Sequence, residues 1–239
     1  MPAGPVPVMA GLLGCLRNLL NGVKIMGAIP DASLPGYDIL REKVRTALER
    51  GEELPWIDFK ESQPWSKLKY NIVKTALGMG NLDDGGIIII GVSERENNLN
   101  FTGIEYSHLK TYDTDEIAEF VDSFVAPYVE IGIVKYSYDD GNDYLIIDIS
   151  SFTKTPLICK KDGKKGLEEG RIYVRPLGGK PRTTKVMEAQ QMELLLERAA
   201  EFRARKMIET SERIGALHIH EINNSQKAKQ DYSDELGDL

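Results

Sequence analysis

The chain has 239 residues, 41% of them hydrophobic and 28% charged, with a net charge of −7. This is room for one good core with appendages, in the composition of an ordinary globular protein. Two distant cysteines, Cys15 and Cys159, and three histidines exclude a disulfide scaffold and a zinc module of the usual spacing. They fit a reducing, cytoplasmic setting.

Residues 1–36 are rich in glycine and proline, with an apolar patch from Val8 to Leu20. Arg17 and Lys24 lie inside and after that patch, not before it as in a signal peptide. The patch is too short to span a bilayer. A poorly ordered leader or a short amphipathic helix is expected, with no membrane role.

From Tyr37 to Arg50, Ile39, Leu40, Val44, Ala47 and Leu48 repeat at helical spacing, and Gly51 supplies a stop. Glu53 to Phe59 reads as a strand. Ser66 is placed to cap a helix running to Met79, with Ile72, Val73, Ala76 and Leu77 on its apolar face. Asp84-Gly85-Gly86 then makes a tight turn into the apolar run Ile87 to Ile90, with glycine supplying a positive φ. The turn lacks the lysine and spacing of a Walker loop, and no nucleotide cofactor is expected.

A polar turn and a strand over Phe101–Ile104 follow, then a helix opened by Asp113 or Thr114 and ended by Pro127. Asp139-Asp140-Gly141-Asn142 joins two strands, 130–138 and 144–149, as a hairpin. Residues 157–160 and 171–175 read as a further strand pair around a basic loop. A long helix is predicted from Thr184 to Glu209, and residues 225–239 are expected to lack order. The divisions expected are 1–36, 37–209 and a polar tail over 210–239.

Two features carry chemistry. Side chains alternate along a strand, so Asp58 and Lys60 share one face while Phe59 turns to the other. A carboxylate two residues from a lysine suits metal-dependent phosphodiester cleavage: the acid holds a divalent cation and the lysine stabilises charge. Glu53, five residues upstream, and Glu94, ending the next strand, complete a set of three acids. Magnesium or manganese suits such all-oxygen donors; zinc does not. The competing view makes these acids ordinary surface groups. The second feature is a run from Lys154 to Lys185 with ten basic residues against three acidic ones, a local +7 on an acidic chain. Lys154, Lys160, Lys161, Lys164, Lys165, Arg171, Arg175, Lys180 and Arg182 are its candidate phosphate contacts, for RNA or DNA.

The pattern Glu53-Leu-Pro-Trp-Ile-Asp58-Phe59-Lys60 resembles the opening of the Schlafen-type AlbA-like domain. Asn81, Gly85-Gly86, Ile87 to Ile90, Gly91-Val92, Glu94, Gly103-Ile104, Ala126-Pro127, Tyr173-Val174-Arg175 and Gly178 continue the likeness. Asp58 stands where the family more often has glutamate. The resemblance implies an α+β fold, a mixed and largely antiparallel sheet with packed helices, and nucleic-acid binding. It also implies the alternative of a metal-dependent nuclease using Glu53, Asp58 and Glu94. A non-catalytic interaction module is a third reading. Animal Schlafen cores pair two such lobes in one chain, so a homodimer is expected here.

Overall fold

The computed structural model describes residues 37–95, 98–176, 182–186 and 188–237, with side chains over 38–215. The leader expected over 1–36 therefore lies outside the described residues, as do Gly178 and Lys180. Helix α1 (Tyr37–Arg50) leads to strand β1 (Ile57–Lys60), helix α2 (Trp65–Gly80) and strand β2 (Gly86–Ile90). Next come strands β3 (Val92–Arg95) and β4 (Asn98–Phe101), short helix α3 (Tyr106–Leu109) and helix α4 (Thr114–Asp122). Strands β5 (Val125–Ala126), β6 (Ile131–Ser137), β7 (Asp143–Ile149), β8 (Ile158–Cys159), β9 (Tyr173–Val174) and β10 (Thr184–Lys185) precede helix α5 (Ala189–Gly237).

The main sheet has the order β1-β2-β7-β6. β1 and β2 run parallel, joined by α2, and the other two pairings are antiparallel. The four isoleucines of β2 explain the layering. A strand turns alternate side chains to opposite faces, yet Ile87, Ile88, Ile89 and Ile90 are all fully buried, so the sheet is covered on both sides. Ile88 and Ile90 pack with Leu68, Ile72 and Leu77 of α2 and Ile117 and Val121 of α4. Ile87 and Ile89 pack with Val44, Ala47 and Leu48 of α1. Each such side chain contributes about 1.5–3 kcal/mol.

This is the mixed, largely antiparallel α+β architecture that the sequence predicts. Several local expectations shift. α2 starts on Trp65 without a Ser66 cap; the Trp65 N–H instead donates to Thr111 Oγ1, 2.9 Å away. The strand expected over Phe101–Ile104 lies at Asn98–Phe101, paired with β3. The stretches 157–160 and 171–175 meet through a single Ile158–Ile172 bridge, while β8 pairs with β5 and β9 with β10. Thr184 thus belongs to a strand, and the helix expected from it begins at Ala189. The helical backbone runs on to Gly237. Asp113 does cap α4, its carboxylate accepting from Glu116 N–H at 2.9 Å. Among the described residues no helix is long and apolar enough to cross a membrane.

The turn before β2 has the glycine requirement expected of it. Gly85 sits at φ +64, and a Cβ there would strike the carbonyl oxygen of Ile149. Gly141, in the β6–β7 hairpin, has φ +80 but open space around it. Gly85→Ala should therefore cost well over about 2 kcal/mol, backbone strain plus a steric clash, and Gly141→Ala only about 1 kcal/mol. Urea unfolding of the two variants checks the ranking; equal losses would contradict it.

Candidate functional site

β1 is an edge strand. Ile87 N–H donates to Trp56 O and Gly91 N–H to Lys60 O, both at 2.8 Å, which sets the alternation along the β1–β2 pair. The peptide groups of Ile57 and Phe59 consequently point away from β2, to the open edge. Each is nevertheless matched. Ile57 N–H donates to Leu54 O at 2.9 Å, and Arg175 Nη2 donates to Ile57 O at 3.1 Å. Phe59 N–H donates to Glu53 Oε1 at 3.3 Å, and Lys60 Nζ donates to Phe59 O at 3.3 Å. Three side chains and the Leu54 carbonyl, not another strand, close this edge.

Asp58 sits at the centre of that closure and is only 6% exposed. Arg175 Nη1 donates to its Oδ1 at 3.0 Å, and the Lys60 ammonium pairs with its Oδ2. Arg175 is itself 2% exposed. Its assignment as a phosphate contact is corrected: it is a buried counterion to Asp58, out of reach of a surface polyanion.

Glu53, Lys60 and Glu94 line one cleft of about 360 Å³, together with Glu61, Lys67 and Lys165. Three of the four residues proposed for chemistry thus share a wall. Asp58 lies behind Lys60 and is not among the lining residues. Both Asp58 oxygens are committed to cations and Glu53 Oε1 to a backbone N–H. Among the described residues no group of three acidic, histidine or cysteine side chains stands ready to hold a metal. The donor set that the resemblance implies for Mg²⁺ or Mn²⁺ does not fit a shared ion in this arrangement.

Lys67 and Lys165 join Lys60 in the cleft, where three lysines face three glutamates in number. Lys67 and Lys74 lie seven residues apart on α2, hence on one helical face. Lys74 Nζ donates to Lys165 O at 3.1 Å, tying the basic 160–166 turn onto α2. Lys165 is the one non-glycine residue with positive φ (63°) among those described. Beside it the lysines interleave with rings. Lys164 Nζ stands 5.9 Å from the centre of Tyr70, Lys161 Nζ 4.4 Å from Phe124 and Lys69 Nζ 4.7 Å from Phe120. Lys67, Lys69 and Lys74 were missed in the sequence because α2 looked like a core helix. The seven-residue spacing of Lys67 and Lys74 was the available signal.

The rest of the basic run is scattered. Lys160 Nζ is held by Asp122 O at 2.5 Å, and Arg171 pairs with Glu168 at 3.5 Å. Lys154 and Arg182 are exposed and line no part of the cleft.

Burial, and then the charge of Asp58, push the Glu53 carboxyl above the ordinary carboxylate range; Lys60, the Phe59 N–H and Arg175 only partly offset this. A raised folded-state pKa means the folded protein binds this proton more tightly than the unfolded chain does. Ionised Glu53 therefore destabilises the fold above that pKa, and the penalty disappears as pH falls through it. Glu53→Gln keeps the acceptor for Phe59 N–H and removes the charge. It should be more stable than wild type near about pH 7, with the gap closing toward about pH 4. Urea titrations across that window check this; a gap that widens in acid would contradict the sign.

Comparison with known proteins adds a family to this geometry. No curated protein sequence matches the chain. A crystal structure of a Corynebacterium diphtheriae protein aligns at 16% identity and a TM-score of 0.45, over 66% of this chain and 28% of its own. The chain thus spans under a third of that structure. The solution structure of the N-terminal domain of a RecG-related protein from Nitrosomonas europaea aligns at 17% identity and a TM-score of 0.36, over 64% of this chain and 90% of its own. Both likenesses are distant. The model of the family described as Schlafen, AlbA_2 matches residues 53–184, more than half of the sequence and all of the β1 edge, cleft and basic turn; the chain belongs to that family.

Proposed function

We propose that this protein binds nucleic acid, RNA or DNA, along the cleft beside β1 and the lysine row of α2. The observation that carries the reading is convergence: Lys165, from the basic run, lines the same cleft as Lys60 and Lys67. Membership of the Schlafen, AlbA_2 family supports it. Lysine ammonium groups act as point charges toward phosphate, and their neutralising contacts release counterions from the strand. Three lysines stand among three glutamates there, so the attraction is local to the ammonium groups of an otherwise acidic chain.

Replacing Lys67, Lys74 and Lys165 together with Gln should weaken binding at least about tenfold. It should also lower the slope of log affinity against log salt by roughly two to three. Unchanged affinity for transfer RNA, single-stranded RNA and duplex DNA would overturn the reading and leave a non-catalytic interaction module. Metal-dependent cleavage is the second reading, favoured by Glu53, Glu94 and Lys60 sharing one wall. Because Asp58 is held by Arg175 and Lys60, and Glu53 Oε1 by the Phe59 N–H, the same substrates are expected to stay intact with Mn²⁺ as with chelator. Fragments that appear only with Mn²⁺ would replace binding alone with nuclease activity.

Two copies of the chain are proposed to associate along α5. Among its described side chains only Leu195 and Ala199 are buried, whereas Leu196, Met207, Ile208 and Ile214 are exposed. Helix without tertiary support is marginal in water, and a second copy would cover these residues. Light scattering should report twice the chain mass of 26.7 kDa, and Met207→Ser with Ile208→Ser and Ile214→Ser should return the monomer mass. A monomeric wild type removes the idea.

A further inference from the structure

Beside the cleft stands an aromatic ring that the fold does not use. Tyr106, on α3, is 71% exposed, and none of the four residues of α3 is buried. Single exposed aromatics are ordinary; the mounting of this one is not. Glu105 N–H donates to Ser62 Oγ at 2.9 Å, and the same hydroxyl meets His108 Nδ1 at 2.9 Å. Tyr112 O–H donates to Gln63 O at 2.7 Å and Trp65 N–H to Thr111 Oγ1 at 2.9 Å. Residues 105–112 are thus pinned at both ends to residues 62–65. The neighbours of Ser62, Glu61 and Gln63, are themselves part of the cleft wall. Lys110 Nζ sits 4.3 Å from the centre of the Tyr106 ring.

An exposed flat ring, carrying its own cation and held on a support whose neighbours Glu61 and Gln63 line the cleft of Lys60, Lys67 and Lys165, is a surface suited to an unpaired base. We infer that Tyr106, with Lys110, is a stacking platform, and that the ligand of this cleft is single-stranded nucleic acid rather than duplex. The inference rests on the nucleic-acid reading above and names its substrate class. The base lies on the ring while its phosphate reaches the cleft lysines and Lys110. In a duplex the faces of the bases are already stacked on one another and are not available to a surface ring.

Fluorescence anisotropy with a dye-labelled oligouridine, the same backbone carrying abasic sites, and duplex DNA tests this on the full chain. Tyr106→Ala should lose roughly five- to a hundredfold in affinity for oligouridine, while Tyr106→Phe keeps it. The abasic oligomer should bind wild type and Tyr106→Ala equally, and duplex affinity should not change. The residue is on the surface, so circular dichroism of Tyr106→Ala should match wild type. If Tyr106→Ala binds oligouridine as wild type does, the platform is wrong while nucleic-acid binding stands. An equal loss on duplex or abasic ligand also overturns stacking. If wild type binds none of the three, the nucleic-acid reading falls and the platform with it.

Discussion

The buried pair between Asp58 and Arg175 is the contact on which the organisation of this protein depends. It joins residues 117 positions apart in the chain. Removing one partner of a buried ion pair typically costs about 3–5 kcal/mol, because the other charge is left without water or counterion. Arg175 also takes the outward carbonyl of Ile57, so one guanidinium neutralises the acid and closes the strand edge. With Glu53 on the Phe59 N–H and Lys60 on the Phe59 carbonyl, the acid and lysine motif becomes the lock of an edge strand.

A second buried polar residue does comparable work at the other end of α2. Asn81 is 2% exposed. Its Nδ2 donates to Leu157 O at 3.1 Å and Tyr173 O at 2.8 Å, and its Oδ1 accepts from Leu157 N–H at 2.8 Å. The Arg198 guanidinium reaches its carbonyl from α5 and pairs with Asp83. The end of α2, the approach to β8, strand β9 and the start of α5 therefore meet at one amide. With β9 fixed there, Arg175 follows two residues later into its pocket. The family signature at Asn81, Gly85 and Gly86 is architectural: it builds the frame that holds the basic turn beside β1.

That frame explains how a chain of net charge −7 can present a cationic surface. Lys67 and Lys74 come from one face of α2, and the turn at 160–166 is laid onto it through Lys74. Lysines from β1, α2 and the basic turn thereby come to one cleft together with three glutamates.

The elements with strong period were legible in the sequence: the apolar stripe of α2, the four isoleucines of β2, the Asp113 cap and the hairpin across Gly141. Each reflects local physics, side-chain periodicity or turn chemistry, that needs no distant partner. The shared wall of Glu53, Lys60 and Glu94 was also foreseeable, since β1, α2 and β2 are consecutive. Tertiary structure alone decided the rest. Arg175 looks like any other basic residue of its run, and only the approach of β9 to β1 turns it into a buried counterion. Asp58 reads as a metal ligand until that arginine occupies it. α2 reads by its apolar face alone, and only the tertiary structure sets the basic turn against Lys74. Along the polar residues from 210 the backbone is helical to Gly237, since helix formation propagates along a chain more cheaply than it starts. Composition and spacing determine which segments form and which face is apolar. Which charges meet depends on contacts more than a hundred residues apart, and no local pattern encodes them.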